Sequence, residues 1–373
     1  MNKISIVEID HKKEINKFIQ VPWDIYKNDS NWVPPLKIAV KELFKPKHPF
    51  FEVGEIQLFL AYRDNEIVGR IGAIINHAHN KFWNDKIGFW GFFESIDDEN
   101  VTSALIKAAE SWLKNKGMNC FRGPVNPSTN YECGLLTEGL QDPPQIMMTY
   151  NPSYYQKHFE QLGYAKIKDL LAYQIDLSFQ MPEKITRIAA RIEKSKKVTY
   201  RFISKKNWDR EVSLMLDIYN KAWEKNWGFI PMTEKEFIHT ANDLKNVVDE
   251  NLIMFVLVDG KEAGFIVCLP DFNQVFKKIP NGKLLPTGIF KLLRAKKYIN
   301  RVRVITLGVM EQYRRMGLET LLYQKMHEQL KINKFEEAEM SWILEDNLNM
   351  NKPLVTMGAK PYKTYRIFEK SLQ

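Results

Sequence analysis

Apolar positions along this chain switch between two periods. "ISIVEI", "EIQLFLAYR" and "EIVGRIGAIIN" alternate or run apolar over strand lengths, and the last two flank Asp64-Asn65, a turn pair that predicts a hairpin. A polar helical segment is expected near 11–28, before Pro34 and Pro35 break regular structure. "KIGFWGFFES" reads as a buried strand. "ENVTSALIKAAESWLKNKG" then takes helical spacing, with Val101, Leu105, Ala108, Ala109 and Trp112 on one face and Gly117 ending it. "MNCFRGP" returns to strand, which predicts a βαβ unit with a right-handed crossover.

The second half repeats the plan. "LIMFVLVDGKEAGFIVCL" is a hairpin turning at Asp259-Gly260, "RVRVITLGVM" is a strand feeding the helix "LETLLYQKMHEQLKI", and "EEAEMSWIL" is a further strand. "MNKPLVTMGAKPYKTYRIFEKSL" supplies a short helix and a closing strand. The pairs Asp64/Asp259, Gly69/Gly264 and Gly163/Gly358 share one offset, 195 residues, which predicts an internal duplication. The expected layout is a domain over 1–180, a polar and basic linker over 181–199, and a second domain over 200–373. The fold class is α/β, with mixed sheets flanked by helices.

At 373 residues and 45% hydrophobic, the chain is long enough for two cores. Its three cysteines, Cys120, Cys133 and Cys268, lack CxxC spacing, so neither a disulfide framework nor a zinc site is expected. His77 and His79 have no third ligand at usable spacing. They read as solvent-facing, and no metal is expected. No run approaches the roughly 20 apolar residues of a spanning helix, and the N-terminus lacks the apolar segment of a signal peptide. A cytoplasmic chain is expected, peripheral at most to the inner face of the membrane.

The net charge of +9 is uneven: residues 1–180 carry 20 Lys+Arg against 22 Asp+Glu, and the remainder carries 34 against 23. The excess suits an anionic partner of the second half, whether cofactor, membrane surface or nucleic acid, and equally a solvated basic face. Between Phe272 and Arg303 lie nine basic residues and no acidic one, interleaved with "LLPTGIFKLL". That composition suits a segment lying on an anionic bilayer, an interdomain contact or an RNA-binding patch; membrane contact is the leading reading and a nucleic-acid partner is not expected.

The stretch "EQYRRMGLET" joins a strand to a helix. A helix N-terminus offers backbone N–H groups and positive potential, Gly317 permits close approach, and Arg314 and Arg315 add positive charge. By itself the turn is a pyrophosphate site or an ordinary connector.

"LGVMEQYRRMGLETLL" and "ILEDNLNMNKPLVTMGAKPY" together resemble the Gcn5-related N-acetyltransferase (GNAT) superfamily, over 200–373 clearly and over 1–178 in outline. The resemblance implies two GNAT-like repeats, each with a centrally splayed sheet, and an acyl-CoA, acetyl-CoA by default, as donor. It places Arg314 and Gly317 on the family's pyrophosphate turn. The backbone of Arg315, Met316, Gly317 and Leu318 would hold the pyrophosphate, Val309 and Met310 would pair with the pantetheine arm and offer an N–H to the thioester oxygen, and Asn347 would contact the pantetheine or cap a helix. Two positions depart from the pattern: Glu319 stands where Gly or Ala is usual, and Leu354 where many members carry the tyrosine that protonates the leaving thiolate. Tyr362 and Tyr365 are nearby substitutes for that acid, and Glu345 or Glu132 a candidate base for the amine.

In the first half "GFFESIDDENVTS" replaces the turn with Glu94, Asp97, Asp98 and Glu99, so that repeat is expected to bind no phosphate and to shape the substrate side. The chain is also similar, through "VPWxxYxxDxxWVPP", "GFFE", "RGPxNxSxNxExG" and "YNPxYYxxxxExxGYxKxKDLLAY", to two-repeat bacterial proteins that include acyltransferases linked to N-acylation of sphingoid bases. The expected function is transfer of an acetyl or longer acyl group from an acyl-CoA or acyl carrier to a small-molecule or lipid amine. The alternatives are a catalytically silent protein that keeps the fold and an aminoacyl-transferase using charged tRNA. Oligomeric state is left open.

Overall fold

The structure is a computed structural model that describes residues 3–10, 13–245 and 247–372. Two units make up the chain. The first comprises Met1–Leu170, Asn273–Ala295 and Lys363–Gln373, and the second Leu171–Phe272 and Lys296–Tyr362.

In the first unit β1 (Ile4–Ile9) pairs with β2 (Gly54–Arg63), β2 with β3 (Glu66–Asn76) and β3 with β4 (Ile87–Ser95), all antiparallel. The expected helix near 11–28 is α1 (Ile15–Ile25); residues 11 and 12 lie outside the described residues. It is followed by α2 (Lys37–Leu43) and, after β3, by α3 (His77–Trp83). Helix α4 (Glu99–Asn115) buries Val101, Leu105, Ile106, Ala109 and Leu113, and Gly117 leaves it with a φ of 80°, where a Cβ would be strained. It carries the chain to β5 (Cys120–Gly123), parallel to β4, which is the expected βαβ unit. Two short pieces, β6 (Val125–Asn126) and β7 (Glu132–Cys133), form a ribbon before β8 (Leu135–Glu138). Helix α5 (Tyr154–Gln161) then adds Tyr155 and Phe159 to the core, where Phe159 stacks on Trp90 at 4.2 Å. The strand that follows, β9 (Ala165–Asp176), runs through the boundary between the units.

The expected 181–199 linker is corrected. It contains helix α6 (Glu183–Glu193), which packs Ile185, Ala189 and Ile192 on the second core and sets Ile188 beside Gly317. There β10 (Val198–Phe202), α7 (Trp208–Trp223) and α8 (Glu234–Leu244) lead to the hairpin β11 (Ile253–Val258) and β12 (Lys261–Pro270). The chain passes through α9 (Asn273–Phe276) and α10 (Gly288–Leu293) of the first unit. It then forms β13 (Arg301–Val309), α11 (Leu318–Ile332), β14 (Glu337–Leu344) and α12 (Leu348–Thr356). The last strand, β15 (Lys360–Ser371), pairs from Thr364 onward with β8 and β5, so it completes the first unit's sheet.

The 195-residue offset survives in backbone detail. Asp64 and Asp259 have φ values of 48° and 49°, and each hairpin carries an irregularity at the same place, between Ala61 and Tyr62 in one and Val256 and Leu257 in the other. Ala61 faces Gly69 as Val256 faces Gly264. Each unit is thus a mixed sheet flanked by helices, as the fold class anticipated.

Candidate active site

Strands β13 and β14 are parallel neighbours only from Arg301 opposite Glu337 to Val304 opposite Met340. Beyond Val304, β13 shifts register against β12 and continues to Val309, while its link to β14 ends. Val304, Ile305, Thr306 and Leu307 form a continuous half-buried stretch of β13 at and beyond this point. The Thr306 hydroxyl is buried and finds no hydrogen-bond partner among the described residues. Two strands that part in this way leave one edge of backbone groups unpaired, and an extended amide-bearing arm such as pantetheine fits that edge. The orphaned hydroxyl beside it is a further polar partner for such an arm.

Alternation along the strands sorts the side chains. Val302, Ala338 and Met340 point into the core under α11, whereas Arg303, Glu339 and Ser341 share the other face. Arg303 is 3% exposed and Glu339 0%. The Ser341 hydroxyl donates to Glu339 Oε1 at 2.6 Å and accepts from Arg303 Nε at 2.9 Å, while Arg303 Nε lies 3.6 Å from Glu339 Oε1. The Tyr362 hydroxyl donates to Glu339 Oε2. A buried charge persists when it is both paired and hydrogen-bonded, and Glu339 has an ion-pair partner and two hydroxyl donors. The group sits where the strands separate, with the half-exposed Tyr362 phenol between Glu339 and the outside. Tyr362 was expected from the sequence; Glu339 and Arg303 were not. Their signal was available: charges at alternate positions of otherwise apolar strands, "RVRVITL" and "EAEMSW".

The phosphate-turn candidate differs from a tight strand-to-helix turn. Glu311–Met316 form a turn of 3-10 helix, and Gly317, with a φ of 72°, opens α11. Arg314 is an exposed residue whose guanidinium donates to the carbonyls of Val309 (3.3 Å) and Ala222. Arg315 and Met316 are exposed, and Leu318 is fully buried. A Cβ on Gly317 would meet Ile192 of α6 at 3.3 Å. Val309 is buried opposite Gly264, and the Met310 N–H donates to Ala263 O at 2.9 Å. The expectation that Met310 offers its N–H to a thioester is therefore corrected, because the hairpin has already taken that donor. The Glu319 carboxyl accepts from its own amide at the start of α11. Burial raises its pKa above the usual carboxylate value, against the opposing effects of that hydrogen bond and the Arg314 charge.

Asn347 occupies the N-cap position of α12 without a side-chain cap bond. Glu345, half-buried after β14, accepts at its carbonyl from Asn351 Nδ2 at 3.2 Å. Leu354 is fully buried in the core. Glu132 pairs with Asn126 in the β6–β7 ribbon of the first unit, so it does not belong to the unit that holds Tyr362 and Glu345. His79 is buried against Phe89 and Trp83 rather than solvent-facing, and burial lowers its pKa to about 4.

The first unit treats the corresponding place differently. Strands β4 and β5 are parallel from Ile87 to Phe89 and then separate, but the chain itself fills the gap. A Cβ on Gly91 would stand 1.7 Å from Val125 O, and the Phe92 N–H donates to Asn126 Oδ1 at 2.7 Å. At the start of α4 the Asp98 carboxylate accepts from Asn100 N at 2.8 Å, where the other repeat has its candidate phosphate turn. Behind the filled gap, Glu94 accepts from the hydroxyls of Tyr26 and Tyr155, both at 2.9 Å, and lies 3.6 Å from Arg70.

No protein-family model matches the sequence. The chain is 38% identical over 371 residues to Protein YghO of Escherichia coli (strain K12), covering 97% of this chain and 94% of that one. It is 36% identical over 377 residues to the bacterial ceramide synthase of Caulobacter vibrioides (strain NA1000 / CB15N), covering 99% and 98%. Among solved structures, a tandem GNAT protein from the clavulanic acid biosynthesis pathway superposes over 100% of this chain and 99% of its own, with a TM-score of 0.60 at 10% identity. The fold is that of a tandem GNAT protein.

Proposed function

Since this chain belongs to the family that holds YghO and the bacterial ceramide synthase, and has the tandem GNAT fold, we propose that it transfers an acyl group from an acyl-CoA or acyl-carrier thioester to a primary amine of a lipid. One observation carries this reading: in the second unit the central strands part beside the buried Glu339 and its half-buried partner Tyr362, and no strand pairing closes the gap among the described residues. The choice of a lipidic amine, of the sphingoid type, is supported by the name of the relative that matches over nearly the whole chain.

The amine nitrogen attacks the thioester carbon, the C–S bond breaks, and one proton moves from nitrogen to the leaving sulfur. Tyr362 suits both ends of that movement. Its oxygen accepts a proton as its own passes to Glu339, and the reverse transfer supplies the thiolate. Ser341 and Arg303 hold the Glu339 carboxylate in place. The pantetheine arm would lie along 305–307 and the pyrophosphate near 315–317.

Mixing the protein with acyl-CoAs of two to eighteen carbons and a long-chain amino alcohol should yield the amide and free thiol, read by mass spectrometry. Tyr362→Phe and Glu339→Gln should each lower kcat at least about 100-fold, the usual scale of lost acid–base catalysis; Tyr362→Phe should leave the melting temperature unchanged, whereas Glu339→Gln should lower it, because the buried Arg303 loses its ion-pair partner. Absence of amide with every donor, together with no calorimetric binding of CoA, would overturn the proposal. That outcome would favour the silent protein, for which the engagement of the Arg314 guanidinium by backbone carbonyls and the Glu319 carboxyl at the start of α11 speak.

A further inference from the structure

The basic insertion is not a free loop. Its first part is fixed to the N-terminal segment of its own unit: Trp23 Nε1 donates to Pro280 O at 2.8 Å, the Lys37 N–H donates to Gly282 O at 2.9 Å, and Asn273 Nδ2 donates to Pro144 O at 2.9 Å. A Cβ on Gly282 would meet Pro35 O at 2.6 Å, so the two segments are in backbone contact. Val275 and Ile279 are buried, as is Gly288, which rests on Ile279.

What this anchored platform presents outward is apolar. Leu285, Phe290 and Leu293 are 70%, 62% and 77% exposed, and Ile38, next to the anchoring Lys37, is 64% exposed. Phe290 and Leu293 are three residues apart in α10 and share a face. Around them stand Lys283 and Arg294, exposed, and Lys291, while Lys277 and Lys278 are exposed one turn earlier. Lys283 lies close enough to Lys37 to depress its pKa, a second effect after burial, and 272–303 contains no carboxylate. Large apolar side chains left in water on a rigid surface mark a contact site.

The charge selects the occupant. A second copy of this face would bring like charges together, and RNA binding makes no use of exposed leucines. An anionic bilayer satisfies both halves, taking the apolar side chains below its headgroups and the lysines at its phosphates. We propose that residues 283–294, with Ile38 and Lys37 beside them, are a docking surface that lays the first unit on an anionic lipid bilayer. The surface is separate from the residues of the proposed reaction, and it stands or falls without them.

The test is flotation of the full chain with vesicles of phosphatidylcholine alone or with 30% phosphatidylglycerol, in low and high salt. The expected result is capture by the anionic vesicles only, weakened by salt. Leu285→Ser with Leu293→Ser, and separately Lys283→Glu with Arg294→Glu, should each reduce the bound fraction at least about tenfold while circular dichroism and melting stay unchanged. Equal capture by neutral vesicles, no capture, or full capture of both variants overturns the proposal. So does a dimer in light scattering that the leucine variant dissociates, or RNA binding without vesicle binding.

Discussion

Glu94 is a buried carboxyl whose surroundings pull its titration in opposite directions. It lies fully inside the first unit, and burial raises its pKa to about 7 although Arg70 and the hydroxyls of Tyr26 and Tyr155 all favour the carboxylate. Between its ordinary value of 4.5 and about 7, the folded protein therefore holds more protons than the unfolded chain. The stability due to this group falls as pH rises through that window. In urea unfolding, the stability of the native protein relative to Glu94→Gln should drop by about 2 to 3 kcal/mol from pH 5 to pH 8; a difference independent of pH would show that the ion pair and hydroxyls outweigh burial. Tyr26, Glu94 and Tyr155 come from three separated motifs, "VPWDIY", "GFFE" and "YNPSYY", and nothing within any one of them points to the other two. Local pattern carries no information on which strand face Glu94 takes beside a bulge at Phe92, whose φ is 52°.

At the scale of elements, the start of α11 holds the balance between cofactor turn and connector. A helix N-terminus attracts an anion, and here the Glu319 carboxyl is an anion supplied by the chain itself. Glu319→Gln should therefore tighten CoA binding, measured by calorimetry, about tenfold at pH 8, which corresponds to about 1.4 kcal/mol. The advantage should shrink as pH falls, because the native carboxyl, its pKa raised by burial, becomes neutral too. An unchanged affinity at every pH would place the pyrophosphate elsewhere. The turn was legible in the sequence because glycine after two arginines at a helix start is a local signal. The packing of Ile188 and Ile192 from α6 against it was not legible, because 181–199 reads as polar until a neighbouring core selects its apolar face.

For the whole molecule, the units do not coincide with halves of the chain. The first is completed by 273–295 and by β15, which pairs Phe368 with Gly123 and Ser371 with Cys120. A fragment ending near residue 180 would leave β5 with an unpaired edge and the core without Phe368 and Leu372. Such a fragment should be insoluble or melt without cooperativity in circular dichroism, whereas a soluble, cooperatively melting fragment would show that the exchanged strand is dispensable. The sequence by itself determined the duplication, both hairpins, the βαβ order and the phosphate-turn candidate, because each depends on turn chemistry or on a period repeated within a few residues. Tertiary structure alone decided that β15 closes the first sheet, that "GPVNP" fills the first splay while among the described residues no strand pairing fills the second, and that Arg303, Glu339 and Tyr362 meet. Those facts depend on pairings between residues tens to hundreds of positions apart, whose energy comes from burial that no local pattern encodes.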